Sequence, residues 1–193
     1  MPLGLPQTTN LTLNAIVSDS FTTTIGKAST LDGNHAIAGA INQTAIIRLT
    51  DVPADFHEAT SIKVRLDDVR FVNAAGSKTN AATIRTILRN SSGTAFYTED
   101  ISALVNRTLF LEGTERTTSD GSNPWTSSEL NDLELSLEVT AAVPDIGSGV
   151  NIDFAYIELK YKTTPPPTYN SSLSRPIMQQ GTTILSGGTI IID

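Results

Sequence analysis

The chain of 193 residues contains no cysteine, which excludes a disulfide framework, a thiol nucleophile and a thiolate metal site. Aromatic residues make up only 6% of it, and basic residues are few, with 13 Lys and Arg against 20 Asp and Glu. The resulting net charge of -7 gives no general attraction for nucleic acid or anionic membranes, because such binding depends on clustered Lys and Arg. We therefore expect neither nucleic acid nor a membrane as a partner.

Membrane-targeting patterns are also missing from the sequence. The first ten residues, MPLGLPQTTN, have neither the basic region nor the apolar region of a secretion signal. No window approaches the run of about 18 apolar residues that a membrane-spanning helix needs. These features predict a protein without a secretion signal or a membrane anchor.

Charge is distributed unevenly along the chain. Residues 1–47 carry three charged residues and residues 163–193 carry two, whereas 28 lie in the 115 residues between them. The C-terminal segment is nevertheless rich in isoleucine, unlike disordered tails, which are charged and poor in β-branched residues. We expect both ends to contact a partner protein.

Alternation of apolar and polar residues dominates the middle of the chain. Over 133–140, three leucines and a valine alternate with polar residues, which is typical of a strand with one buried face and one solvent-exposed face. Related patterns over 62–66 and 150–162 predict further strands, with a bulge at residues 67–68 and a bulge or kink near 155–156, where the alternation changes phase. Weaker strand candidates are 11–17, 45–50, 83–89, 95–99 and 108–112.

Many short strands separated by turn sequences predict an all-β fold, an antiparallel β-sandwich. We expect the sandwich to occupy residues 44–162. Residues 1–43 are predicted to form an extended N-terminal arm that can contribute one edge strand. A proline-rich spacer over 163–168 and a β-prone C-terminal docking arm over 169–193 would follow the sandwich.

Residues 125–133 depart from the strand pattern. Thr126 and Glu129 have the spacing of a capping box, in which each side chain satisfies a backbone N–H of the first helical turn. Trp125 can pack on Leu130 as a hydrophobic staple, so the sequence predicts one short structural helix here. The alternative is an exposed Trp125 that stacks on a sugar, and the staple is favoured because it already gives the indole a partner.

Three consecutive prolines at 165–167 end the last predicted strand, because proline removes ladder donors and favours extended polyproline structure. Two β-prone pieces follow, one on each side of Gly187 and Gly188. Since an exposed, uncharged run of this kind would aggregate, we expect it to pair with a sheet edge of its own or of a neighbouring chain. The predicted docking residues are Ile177, Ile184, Leu185, Ile190, Ile191 and Ile192.

Catalytic and metal-binding motifs are absent from the sequence. The two histidines, His35 and His57, lie in different segments, and there is no P-loop, nucleophile elbow or dinucleotide fingerprint. The nearest group of ligand-type residues is the 55–58 segment around His57, to which Asp67 and Asp68 could be added, but a polar loop explains it better. We expect a protein that is not an enzyme and uses no cofactor or metal.

The segment 123–161 resembles a known family. The sequence NPWT at 123–126, the run ELN at 129–131 and the strand AYIELKY at 155–161 resemble the last third of jelly-roll-like β-sandwich structural proteins from tailed-phage virions. The resemblance implies a jelly-roll-like sandwich and a non-enzymatic role in the virion. A capsid decoration or cement protein that clamps neighbouring capsid subunits through its arms fits this best.

The resemblance also implies partners and a location. The partners would be other virion proteins, either the major capsid protein or tail subunits, together with further copies of the chain in a homo-oligomer. The location would be the virion, assembled in the host cytoplasm. Two alternatives stay open: an accessory protein of the tail, neck or baseplate, and a carbohydrate-binding module for receptor recognition. The second requires exposed, coplanar aromatic rings from among Trp125, Tyr97, Tyr156, Tyr161 and Tyr169.

Overall fold

A computed structural model describes residues 4–72, 82–103, 107–141 and 149–164. Within these ranges the chain forms eleven strands, one short α-helix and a turn of 3₁₀ helix (Ile25–Ala28). None of the described helices is long and apolar enough to span a bilayer. The elements are β1 (Pro6–Leu11), β2 (Leu13–Asp19), β3 (Ala36–Ala38), β4 (Thr44–Leu49), β5 (Phe56–Val72), β6 (Ala82–Asn90), β7 (Ala95–Ala103), β8 (Arg107–Glu112), α1 (Ser127–Asn131), β9 (Leu133–Ala141), β10 (Gly149–Ile152) and β11 (Phe154–Thr163).

The strands form two antiparallel sheets. The first has the order β1, β11, β5, β10 and β3, and β8 pairs with the other edge of β5. The second has the order β2, β4, β9, β6 and β7. This confirms the predicted all-β class, a jelly-roll-like antiparallel sandwich with one short helix.

Strand β9 shows how the core is built. Its apolar residues, from Leu133 to Val139, are at most 1% exposed, as the alternation predicts. The opposite face was expected to be solvated, but Glu134 is only 1% exposed. Arg48 and Arg89 lie opposite it on β4 and β6 and donate to its two carboxylate oxygens at 3.0 to 3.1 Å. Because β9 is central in its sheet, long side chains from both neighbouring strands cover its polar face.

The structure corrects the predicted N-terminal arm. Three strands lie within 1–43, and they pair with the sandwich: β1 with β11, β2 with β4, and β3 with β10. The 3₁₀ turn between β2 and β3 buries Ile25 and Ala28 completely. Ala36 and Ala38 in β3 are also at most 1% exposed. Because small residues fill the buried positions, the apolar–polar alternation is weak here, and the sequence alone therefore predicts an arm instead of strands.

The C-terminal prediction falls mostly outside the described residues. Strand β11 ends at Thr163, shortly before the three prolines. The predicted docking residues, Ile177, Ile184, Leu185, Ile190, Ile191 and Ile192, lie in the segment that the structure does not describe. Their docking role stays a prediction.

Strand β5 continues through the predicted bulge without inserting a residue. Asp67 pairs with Phe154 and Arg70 pairs with Asn151, and both pairs belong to one register. The change of phase instead comes from Asp68, which has a left-handed backbone with φ of +46°. The prediction of an irregular backbone at residues 67–68 is therefore confirmed, but the prediction of a bulge there is wrong.

The predicted capping box is present at the start of α1. Thr126 Oγ1 accepts the Glu129 backbone N–H at 3.2 Å, and Glu129 Oε2 accepts the Thr126 N–H and hydroxyl at 2.8 Å each. Trp125 and Leu130, on either side of the cap, are 2% and 1% exposed and belong to the core. The ring of Phe96 meets the indole edge-on, with 5.3 Å between ring centroids.

We predict that Thr126→Ala lowers the free energy of unfolding by about 1 kcal/mol, because the first turn of α1 loses its side-chain acceptor. Ser128→Ala on the exposed side of the same helix should change it by less than about 0.5 kcal/mol. Urea denaturation of the two variants and the parent chain measures both. Equal stability of the two variants would contradict the capping role.

The Glu129 carboxylate of the capping box should make the stability of the protein depend on pH. Burial acts to raise the pKa of the Glu129 carboxyl, but the hydrogen bonds from Thr126 and Ser119 together outweigh it, and the pKa lies below its ordinary value. Because the pKa of Glu129 is lower in the folded protein, its charged carboxylate stabilises the fold fully above the unfolded-state pKa of about 4.3. This stabilisation is lost as the pH falls through the pKa of the folded state. The stability lost in Glu129→Ala should thus be larger at pH 7 than at pH 3, as measured by urea denaturation of both proteins. The same loss of stability at both pH values would contradict a stabilising role of the charged Glu129 carboxylate.

Candidate metal and ligand site

A groove lies on the first sheet beside the break between β10 and β11. The break is at Asp153, two residues before the position where the sequence predicts a bulge or kink. Ser29 forms a β-bridge to Phe154, so the segment that leads into β3 crosses the sheet next to the break. The groove encloses about 490 Å³ and is lined by Leu31, Gly33, Arg65, Asp67, Asp68, Phe110 and Asp153.

Asp153 fastens this crossing segment to the sheet. It is 2% exposed, and both of its carboxylate oxygens accept the Gly33 N–H at 3.0 Å. The Asp32 N–H lies 3.4 Å from Oδ1. Gly33 has φ of +82°, a backbone conformation that glycine adopts without steric cost. A buried carboxylate and a glycine thus hold residues 31–35 over the groove.

His35 ends this segment and points to Asp68. Its Nδ1 lies 2.9 Å from the Gly33 carbonyl oxygen, and because a carbonyl only accepts, Nδ1 carries a proton. Its Nε2 lies 3.4 Å from Asp68 Oδ2 and has no hydrogen-bond partner among the described residues. Asp68 accepts hydrogen bonds from Nε and Nη2 of Arg70. One ligand-type atom each from His35, Asp68 and Asp153 lies within 4.8 Å of the others.

The neighbouring Asp67 is partly buried beside Tyr156. Burial raises the pKa of the Asp67 carboxyl, although the hydrogen bond from Tyr156 and the charge of Arg65 act to lower it. The Tyr156 hydroxyl donates to Asp67 Oδ2 at 3.2 Å, and burial, together with that carboxylate, raises the pKa of the phenol. At neutral pH, Tyr156 is therefore a neutral donor to this carboxylate.

Phe110 is the exposed aromatic ring of the groove. Its side chain is 48% exposed. The guanidinium carbon of Arg65 lies 4.7 Å from the ring centroid, so a cation already covers one face of the ring. A sugar could therefore stack only on the opposite face of the ring.

The aromatic residues proposed as a sugar platform do not form one in the described part of the chain. Trp125 is 2% exposed, and Tyr156 and Tyr161 are each 6% exposed. Tyr97 is half-buried with its ring 6.1 Å from the indole. Tyr169 lies outside the described residues. Trp125 thus occupies the core position that the staple interpretation gives it.

The ligand-type cluster differs from the one considered in the sequence. His57 lies near the start of β5, eleven residues before Asp68, which places it about 36 Å away along an extended strand. The structure instead brings Asp68 together with His35 and Asp153, which are remote in sequence. Sequence spacing cannot reveal that cluster. The alternation over 150–154 places Asp153 on the polar face, so its burial, at 2% exposed, is not foreseen by the local pattern.

No protein-family model matches the chain, and no curated protein matches it. Among solved structures, it is similar to the CBM22-1 xylan-binding domain of Xyn10C from Paenibacillus barcinonensis, with 15% sequence identity and a TM-score of 0.36. That alignment covers 84% of this chain and 97% of the xylan-binding domain. No residue role passes from that domain to this chain, and the fold is defined by its own two sheets.

We predict that Trp125→Ala lowers the free energy of unfolding by about 3 to 5 kcal/mol, since it empties a core position. Phe110→Ala, at the exposed ring, should cost less than about 1 kcal/mol. Denaturation monitored by far-UV circular dichroism measures both, because the variant at 125 lacks the fluorophore. An unchanged stability of Trp125→Ala would contradict the role of the indole in the core.

Proposed function

We propose that this chain is a non-enzymatic structural protein of a tailed-phage virion, a capsid decoration or cement protein that joins neighbouring capsid subunits. The resemblance of residues 123–161 to jelly-roll-like virion proteins supplies the virion context. The observation that carries the proposal is an uncharged sheet edge formed by residues 4–18, which span β1 and nearly all of β2 and which we name the β1–β2 edge.

The β1–β2 edge runs along one side of the sandwich. Only Thr12 separates the two strands, so the chain passes directly from the edge of the first sheet to the edge of the second. Within the described residues, β1 pairs only with β11 and β2 only with β4. Residues 4–18 contain no charged side chain, and Leu5, Ile16 and Val17 are 71%, 44% and 47% exposed.

The opposite side of the sandwich is built differently. Strands β7 and β8 form its edges and carry Glu99, Asp100 and Glu112. Asp100 pairs with Arg85, and Glu112 pairs with Arg65, so this side presents charged groups along the strands. Soluble proteins use such charges to prevent unwanted strand pairing, and the β1–β2 edge has none. An uncharged edge of this kind fits the addition of a strand from another protein.

The C-terminal segment starts close to this edge. The Thr163 N–H donates to the Leu5 carbonyl at 3.2 Å, and the Thr164 N–H donates to the Asp55 carbonyl at 2.7 Å. Residues 165–193, if fully extended, would reach about 95 Å, which is enough to contact a neighbouring subunit. The Ile-rich segment and the β1–β2 edge would then give each copy one strand to donate and one edge to accept it. This supports a protein that links subunits of a shell.

We predict that Val17→Lys lowers binding to purified, decoration-free heads of the encoding phage by at least about tenfold, because it places a charge on the docking edge. Thr98→Lys, at an exposed position of β7, is the matched control and should bind as the parent chain does. Cosedimentation measures binding, and urea denaturation checks that both variants are folded. Equal binding of all three proteins would contradict docking through this edge.

Fractionation of virions tests the location. Heads and tails of the encoding phage are separated and analysed by mass spectrometry. The proposal expects the chain in the head fraction, whereas its presence in tails alone would support the accessory-protein alternative. Its absence from virions, combined with binding on a glycan array, would support the receptor-recognition alternative instead.

A further inference from the structure

We infer that His35, Asp68 and Asp153 bind one divalent transition-metal ion, with the preferences of Zn²⁺. The site lies under residues 31–35, on the groove at the break between β10 and β11. It is independent of the β1–β2 edge, so its test does not depend on the virion role.

The state of His35 is the first argument. The Nδ1 proton is directed at the Gly33 carbonyl, so in the neutral ring Nε2 carries a lone pair. The side chain is only 10% exposed, and Nε2 has no hydrogen-bond partner among the described residues. A buried lone pair that faces carboxylate oxygens is repelled unless a cation lies between them. Nε2 can therefore donate its lone pair to a metal ion.

The distances are the second argument. A protonated Nε2 would be expected to form a charge-assisted hydrogen bond of about 2.7 to 2.9 Å with the carboxylate. The separation from Asp68 Oδ2 is instead 3.4 Å. Two ligands bound tetrahedrally to one Zn²⁺ at about 2.1 Å lie about 3.4 Å apart. The third ligand atom, from Asp153, lies within 4.8 Å of the His35 and Asp68 ligand atoms. Small side-chain rotations would therefore bring all three atoms into bonding distance of one ion.

Each of the three ligands is already held by a partner of its own. The Gly33 carbonyl orients the His35 ring, and the Gly33 N–H holds the Asp153 carboxylate. Arg70 orients Asp68 through two N–H groups. Outer-shell contacts of these kinds orient and tune metal ligands in proteins. Arg70 also places a positive charge nearby, so we expect an affinity below that of buried structural zinc sites.

The donor set selects the class of ion. One imidazole nitrogen and two carboxylate oxygens suit zinc and related transition metals, whereas calcium and magnesium prefer oxygen ligands alone. Three protein ligands leave a fourth position of a tetrahedral ion for water from the groove. The bound ion would link three parts of the sandwich: the 31–35 segment, the middle of β5, and the junction of β10 and β11. Because binding requires this folded arrangement, Zn²⁺ should stabilise the protein.

Calorimetric titration of the chelator-treated full chain with ZnCl₂ tests the site. We expect one ion per chain, an affinity weakened at least about tenfold in His35→Gln, and no change in His57→Gln. His57 is exposed at the start of β5 and is the matched control histidine. Zn²⁺ should also raise the Tm of the parent chain and of His57→Gln, but not that of His35→Gln.

A second measurement keeps the site testable if His35→Gln does not fold. In the ¹⁵N-labelled parent chain, Zn²⁺ should shift the imidazole Nε2 resonance of His35 and leave that of His57 unchanged. Failure to bind Zn²⁺, equal affinity of parent and His35→Gln, or an unshifted His35 resonance would overturn the site. One-to-one binding of CaCl₂ without binding of ZnCl₂ would overturn the assigned class of ion.

Discussion

The pairing of β5 with the successive strands β10 and β11 organises the first sheet. β5 is 17 residues long, and it keeps one register with both partners across the break at Asp153. β8 pairs with its other edge, while β1 and β3 attach to the far edges of β11 and β10. Because the register places Asp68 opposite Asp153, the same pairing brings two buried carboxylates together. A slip of one residue would separate them and turn the apolar residues of β5 away from the core.

The two sides of the sandwich follow from how the chain changes sheets. It passes from β1 to β2 on one side and from β7 to β8 on the other, so each side has one edge from each sheet. Charge is concentrated on the side of β7 and β8, whereas the other side is formed by residues 4–18, which carry no charge. The uneven distribution of charge in the sequence thus becomes a difference between two surfaces. That difference supports an assembly role in which one side of the sandwich stays solvated and the other accepts a partner.

The parts of the fold that sequence predicted are those determined by local patterns. The alternation over 133–140 gives β9, and Thr126 with Glu129 gives the helix cap, because both depend on neighbouring residues alone. Residues 1–43 were wrongly assigned to an arm because their buried positions are filled by small side chains such as Ala36. The burial of Glu134 was also missed, since it depends on arginines that the register of β4 and β6 places beside it.

The candidate metal site illustrates the same limit. Its three residues come from a loop, the middle of a long strand and a break between strands, and only the paired sheet unites them. The left-handed backbone at Asp68 was detectable as a change of phase in β5. Its role could not be inferred, because His35 reaches it through the segment that Asp153 holds down. Clusters built from distant residues require the register, which no local pattern supplies.

Backbone hydrogen exchange of the protein, free and bound to phage heads, tests the assembly account most directly. If a strand from another subunit adds to the β1–β2 edge, amides of residues 13–18 that exchange readily in the free protein should become protected on binding. The amides of β7 and β8 should exchange equally in both states. Protection confined to the charged side, or no protection of β2 in the bound protein, would contradict the account.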